Sequence, residues 1–179
     1  PRSDHRHTSH LIAVFPGRQI SINQTPELAK AAAVSLDARG VAGDSRREWA
    51  FAWRMSLWAR LLQGDKAHFM AENLFQYGLL PNLFCTHPPF QMDGNFGYVA
   101  GVCEMLVQSH AGEIHLLPAL PKAWPTGKVT GLRARGGFTV DIEWKDGKVT
   151  DYRIAEKEGQ AVKVRVNGEV KTVSAEQLK

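Results

Sequence analysis

The chain has 179 residues, enough for one domain or a domain with a small appendage, and its 44% hydrophobic and 22% charged residues suit an ordinary globular protein. Its net charge of +4 comes from scattered basic residues with no Lys/Arg run, which argues against nucleic acid as a partner. No apolar run approaches the roughly 18 residues of a membrane span, and Cys85 and Cys103, both in apolar contexts, predict buried free thiols rather than a disulfide framework.

The chain opens at Pro1 without an initiator methionine or signal peptide and runs straight into a dense polar motif, so a piece of a longer protein is expected. His5-Arg6-His7-Thr8-Ser9-His10 precedes the apolar run Leu11–Phe15, which Pro16-Gly17 stops. His7 and His10 would share a helix face, but no nearby Cys, Asp or Glu completes a metal site, so no metal or other cofactor is expected. Arg6 and His7 suit hydrogen bonding to sugar hydroxyls or to a carboxylate; the alternative is that backbone carbonyls satisfy them in a partly buried setting. Asn23-Gln24-Thr25 fits the glycosylation triplet, which matters only on a eukaryotic secretory route.

Thr25-Pro26-Glu27 predicts a helix start, with Thr25 as N-cap, Leu28, Ala32 and Leu36 in helical spacing and Gly40 just beyond the end. A second helix is expected from about Arg46 to Leu62, carrying a stripe of Trp49, Trp53, Leu57 and Leu61 that Ala50, Trp58 and Leu62 widen. Tryptophans in such a stripe can stack on sugar rings, but a place in the core is the favoured reading. Asp65 should cap a third helix that runs to about Tyr77, and a fourth is expected from about Gly97 to His110.

Between the third and fourth helices lies His87-Pro88-Pro89-Phe90-Gln91-Met92-Asp93-Gly94-Asn95-Phe96-Gly97. Pro88 and Pro89 deny the backbone its donors, and Gly94 and Gly97 open φ values closed to other residues. Asp93 is thus expected on a stiff loop that feeds a helix N-terminus, where the dipole favours a negative charge. The competing reading is that Asp93 or Asn95 only caps the helix.

The period changes to two after Leu116-Leu117-Pro118-Ala119-Leu120-Pro121. Phe138, Val140, Ile142 and Trp144 alternate with polar residues, and Asp146-Gly147 and Asn167-Gly168 mark tight hairpin turns. Gly136-Gly137 reads as a bulge or turn rather than a phosphate loop. An antiparallel β unit that packs without reactive side chains is expected.

The motifs His5-Arg6-His7-Thr8-Ser9-His10-Leu11, Trp58-Ala59-Arg60-Leu61, Asn82-Leu83-Phe84, His87–Gly97, Leu116–Pro121 and Gly131-Leu132-Arg133-Ala134-Arg135-Gly136-Gly137-Phe138 resemble the C-terminal part of glycoside hydrolase family 95. The resemblance covers the chain to about residue 145. Members are inverting α-L-fucosidases, chiefly acting on α-1,2-linked fucose; some relatives prefer L-galactose. The resemblance implies a mainly α, then β fold: the last helices of an (α/α)6 barrel over residues 1–120, followed by a small antiparallel β domain over residues 121–179. It implies that Asp93 is the aspartate that polarises a water-holding asparagine, and that Arg6 and His7 contact the sugar. In the family the glutamic acid and the asparagines lie upstream of the position where this chain begins. The implied partners are a fucosylated oligosaccharide or glycan and the N-terminal part of the same protein. The implied setting is secreted or periplasmic in a bacterium. A non-catalytic carbohydrate-binding or scaffolding fragment of the same fold is the alternative. Barrel helices without their neighbours are expected to expose apolar patches.

Overall fold

Residues 3–156 and 158–177 are described by the computed structural model. Four helices come first: α1 (Pro26–Asp37), α2 (Glu48–Arg60), α3 (Gly64–Tyr77) and α4 (Met92–Leu106). Eight strands follow: β1 (Val107–Gln108), β2 (Ile114–Leu116), β3 (Gly127–Arg133), β4 (Thr139–Lys145), β5 (Lys148–Glu156), β6 (Ala161–Val166), β7 (Glu169–Ser174) and β8 (Glu176–Gln177). An α part followed by a β part is the expected order.

Helix α2 is the central element of the α part. Only Trp49 and Trp53 along it keep partial exposure. A helix buried around nearly its whole circumference lies inside a core, and Phe51, Met55, Leu57 and Trp58 fill that core. The favoured reading of the tryptophan stripe therefore holds for Trp58, whereas Trp53 is half-buried and donates its indole N–H to the Phe15 carbonyl at 3.0 Å. Two arginines are buried with their charges answered. Arg54 donates to the Ala50, Gly40 and Ser45 carbonyls, and burial pushes its guanidinium down to about 10. Arg60 makes a two-pronged pair with Glu104 of α4 at 2.6 and 3.0 Å and donates to the Gly17 carbonyl at 3.1 Å.

Helix α4 lies against α2 along a row of glycines at helical spacing. A Cβ on Gly97 would stand 2.8 Å from the Ala52 Cβ, and one on Gly101 would stand 2.7 Å from the Met55 Sδ. The sequence reading assigned Gly94 and Gly97 to unusual φ values. Both sit instead in regular helix, and what they supply is closeness of approach. For the same reason α4 begins at Met92 rather than near Gly97: burial against α2 outweighs the poor helix propensity of Gly94, Asn95 and Gly97.

The strands form two four-stranded sheets, ordered β1-β2-β6-β7 and β3-β4-β5-β8. The expectation of a purely antiparallel unit is corrected, because β2 pairs parallel with β6 and β5 pairs parallel with β8. Both parallel pairings join segments far apart in sequence, which no local pattern announces. The hairpin turns are as read: Asp146 and Gly147 have φ of 53° and 74°, and Asn167 and Gly168 have 49° and 90°. Strand formation starts at Val107, ahead of the expected boundary at residue 120, and Leu106, Val107, Ile114 and Leu116 join the β-side core. Cys85 is buried, Cys103 is half-buried, and both are free thiols. The expected apolar exposure is present on the helices. Phe96 and Val99 of α4 are 68% and 59% exposed, and Leu28 and Val34 of α1 are 54% and 66% exposed. No helix of the described residues is long and apolar enough to cross a membrane.

Candidate active site

Arg6 and His7 are held over the first turn of α2 by different means. Arg6 donates its backbone N–H to Asp44 at 3.2 Å and its Nη1 to both carboxylate oxygens at 2.9 and 3.1 Å. Asp44 stands in a 3₁₀ turn, Gly43–Ser45, just before α2, and Arg47 approaches its other side at 3.6 Å. The Arg6 backbone N–H, helped by the guanidinium, holds the Asp44 carboxyl below the usual carboxylate range. His7 is exposed and rests on the half-buried Trp49 ring, with centroids 5.1 Å apart. His5 lies beside it at 5.0 Å. Both groups remain accessible, so an anchored guanidinium and an imidazole face outward above an aromatic floor.

Asp93 is in the first turn of α4, not on the preceding loop. Gln91 holds the N-cap position in extended conformation and donates its side-chain amide to Asp93 Oδ2 at 2.6 Å. The carboxylate is exposed. Neither Asp93 nor Asn95 caps the helix. Asn95 instead staples the loop, donating to the Leu83 carbonyl at 2.8 Å and accepting from the Cys85 N–H at 3.0 Å. The Gln91 N–H returns to the Cys85 carbonyl at 3.1 Å. The sequence reading credited the prolines with holding this loop; the Asn95 hydrogen bonds tie it to Leu83 and Cys85 as well.

The start of α2 is the floor beneath both groups. Trp49 carries His7, and the neighbouring Glu48 lies under Gly94, next to Asp93. A Cβ on Gly94 would stand 3.0 Å from the Glu48 Cγ and 2.5 Å from the Cys85 Sγ. Glu48 is 1% exposed. Its burial raises the carboxyl above its usual range, against the pull of its own helix N-terminus, His87 and Arg47. Burial and the Glu48 charge together push the Cys85 thiol up to about 11. Arg6 and His7, through Asp44 and Trp49, and the Asp93 turn, through Gly94 over Glu48, are thus each tied to the N-terminal end of α2. The arrangement presents an acceptor carboxylate, two donors and an aromatic face, which is what a hydroxylated ring and a held water require.

The larger cavities lie elsewhere, including one of about 440 Å³ lined by Arg18, Gln19, Ser21, Gln24 and His110. Among the described residues no three His, Cys, Asp or Glu side chains gather as a metal site. Sequence reasoning missed Asp44, which reads only as part of a Gly-Asp-Ser turn, and gave Glu48 no place beside Asp93. A single acidic residue opening a helix signals dipole compensation; burial beneath a distant glycine leaves no local trace.

Residues 1–106 match the glycosyl hydrolase family 95 catalytic domain, and residues 108–179 match the glycoside hydrolase family 95 C-terminal domain. Alpha-L-fucosidase 2 of Arabidopsis thaliana is 45% identical over 164 residues, covering 85% of this chain and 19% of that protein. Probable alpha-fucosidase A of Aspergillus oryzae and of Aspergillus niger are each 35% identical, covering 83% and 82% of this chain and 24% and 21% of those proteins. The chain therefore spans about a fifth of the length of the curated relatives it matches. With the junction of the two family domains falling at the end of α4, where the helices give way to strands, the chain belongs to glycoside hydrolase family 95.

Proposed function

We propose that this chain is the water-positioning part of an enzyme that removes terminal α-1,2-linked L-fucose from glycans with inversion. The observation that carries this reading is the exposed Asp93 carboxylate on the first turn of α4, at the same end of α2 as Arg6 and His7. Inversion needs a water on the ring face opposite the leaving oxygen. Asp93 is the group to polarise the side chain that holds that water, while Arg6 and His7 hydrogen-bond the sugar. The general acid and the water-holding asparagines come from the upstream part of the protein, and the helices here complete an (α/α)6 barrel with it. The exposed Phe96 and Val99 on α4 support that reading, since an apolar face of this kind on a core helix calls for a covering neighbour.

The test compares this chain alone with the protein restored to the length of its relatives, each incubated with an α-1,2-fucosylated oligosaccharide. The expected result is free L-fucose from the restored protein only, released first as the β-anomer. Release by the chain alone at enzyme-like rates would place the acid inside these residues and overturn the division of labour. Sugar binding without hydrolysis by the restored protein would favour a carbohydrate-binding role instead.

A further inference from the structure

The two ends of the Gln91 side-chain amide are treated unequally. Nε2 donates to Asp93 Oδ2 at 2.6 Å. Oε1 is buried and has no hydrogen-bond partner among the described residues. A buried carbonyl oxygen left unanswered costs folding free energy, and such departures from a satisfied interior gather where function uses them. Turning the amide over would aim Oε1 at the carboxylate, acceptor against acceptor, and would take the donor away from Asp93. The carboxylate therefore fixes which way the amide points, and the unanswered oxygen is the consequence.

Nothing else in the local fold uses this side chain. Gln91 holds the N-cap position of α4, but its side chain bonds no backbone N–H of the helix. Its backbone N–H, not its amide, ties the residue to the Cys85 carbonyl at 3.1 Å. The turn is seated by Gly94 against Cys85 and Glu48, and the preceding loop is tied by Asn95. Those anchors locate the Asp93 backbone and leave its carboxylate exposed, with staggered χ1 wells to choose between. Among the described residues, the Gln91 amide supplies the one hydrogen bond that the Asp93 carboxylate receives.

On the reading of Asp93 given above, we propose that Gln91 is a positioning residue: its amide N–H holds Asp93 Oδ2 and so turns Oδ1 toward the side chain that holds the attacking water. A carboxylate that acts through a second side chain must present its oxygen in one direction, because a misaligned hydrogen bond weakens steeply and a small misplacement is expensive in rate.

The experiment uses the full-length protein with an α-1,2-fucosylated oligosaccharide. It measures kcat, KM and a thermal melt for wild type, Gln91→Met, Gln91→Glu, Asp93→Asn and the combination of Gln91→Met with Asp93→Asn. Gln91→Met keeps the length of the side chain and removes the donor. Gln91→Glu keeps its shape and sets a second acceptor beside Asp93. Each Gln91 variant is expected to lose at least about tenfold in kcat, with KM within about twofold. Gln91→Glu should be the slower of the two, because like charges at this distance repel. The melt of Gln91→Met should stay close to wild type, since the lost hydrogen bond is offset by removal of the unanswered oxygen. In the Asp93→Asn background, Gln91→Met should change kcat by less than about twofold, because the carboxylate it serves is gone. Wild-type kcat in either Gln91 variant, a loss confined to KM, or losses that multiply in the combined variant would overturn the proposal. Should Gln91→Met fail to fold, Gln91→Glu decides alone, and a wild-type kcat there would overturn it. Collapse in Asp93→Asn with wild-type kcat in the Gln91 variants would remove only this inference. Full turnover in Asp93→Asn would remove the reading beneath it as well.

Discussion

The two ends of α2 bury opposite charges in opposite states. At its C-terminal end, Arg60 is answered by both oxygens of Glu104 and by the Gly17 carbonyl. At its N-terminal end, Glu48 keeps Oε1 without a partner among the described residues. One end is a closed network whose value is structural. The other carries a folding cost beside Asp93 and beneath the residues that bind sugar in our reading. The contrast separates the part of the helix that holds the fold from the part that holds the site.

The largest effect on stability should come from opening the closed end. Glu104→Ala leaves Arg60 buried without its carboxylate, and about 3 kcal/mol of stability should be lost, measured by urea unfolding. Next is the seam between α2 and α4. Gly97→Val forces a branched side chain against the Ala52 Cβ, with an expected cost of about 2 kcal/mol by the same measurement. Retention of wild-type stability in either variant would break the picture of a rigid closed end and a close helix seam.

The open end should respond with the other sign. The folded-state pKa of Glu48 is raised above its unfolded value by burial. Its contribution is therefore favourable below the unfolded pKa and is lost as pH rises through the folded one. Glu48→Gln has no charge to bury, so its melting temperature should exceed wild type at pH 7, and the gap should close at acid pH. A fall in melting temperature at pH 7 would show that Glu48 is answered after all. The smallest effect belongs to Lys66 and Asp37, an exposed pair at 2.8 Å; Asp37→Asn should change stability by less than about 0.5 kcal/mol.

How much of this was legible in the sequence follows from how local each cause is. The first three helices, the Asp146-Gly147 and Asn167-Gly168 hairpins and the arrest at Pro16-Gly17 depend on neighbours in sequence and stand, although Gln63 rather than Asp65 holds the N-cap of α3 and α4 ends at Leu106 rather than near His110. The start of α4 depends on α2, so the glycines were read for their φ freedom when their use is thinness. The parallel pairings of β2 with β6 and β5 with β8 depend on partners that no window contains. At the site, Arg6, His7 and Asp93 stood out by residue type and motif. Asp44 and Glu48, which hold and underlie them, show only once the chain is folded.

Asp93→Asn in the full-length protein, followed as free L-fucose released from an α-1,2-fucosylated oligosaccharide, tests the central claim most directly. The account predicts that turnover falls by at least about a hundredfold, with the thermal melt unchanged because the side chain is exposed and the amide can keep the Gln91 contact. Near-normal turnover in a folded Asp93→Asn protein would contradict it.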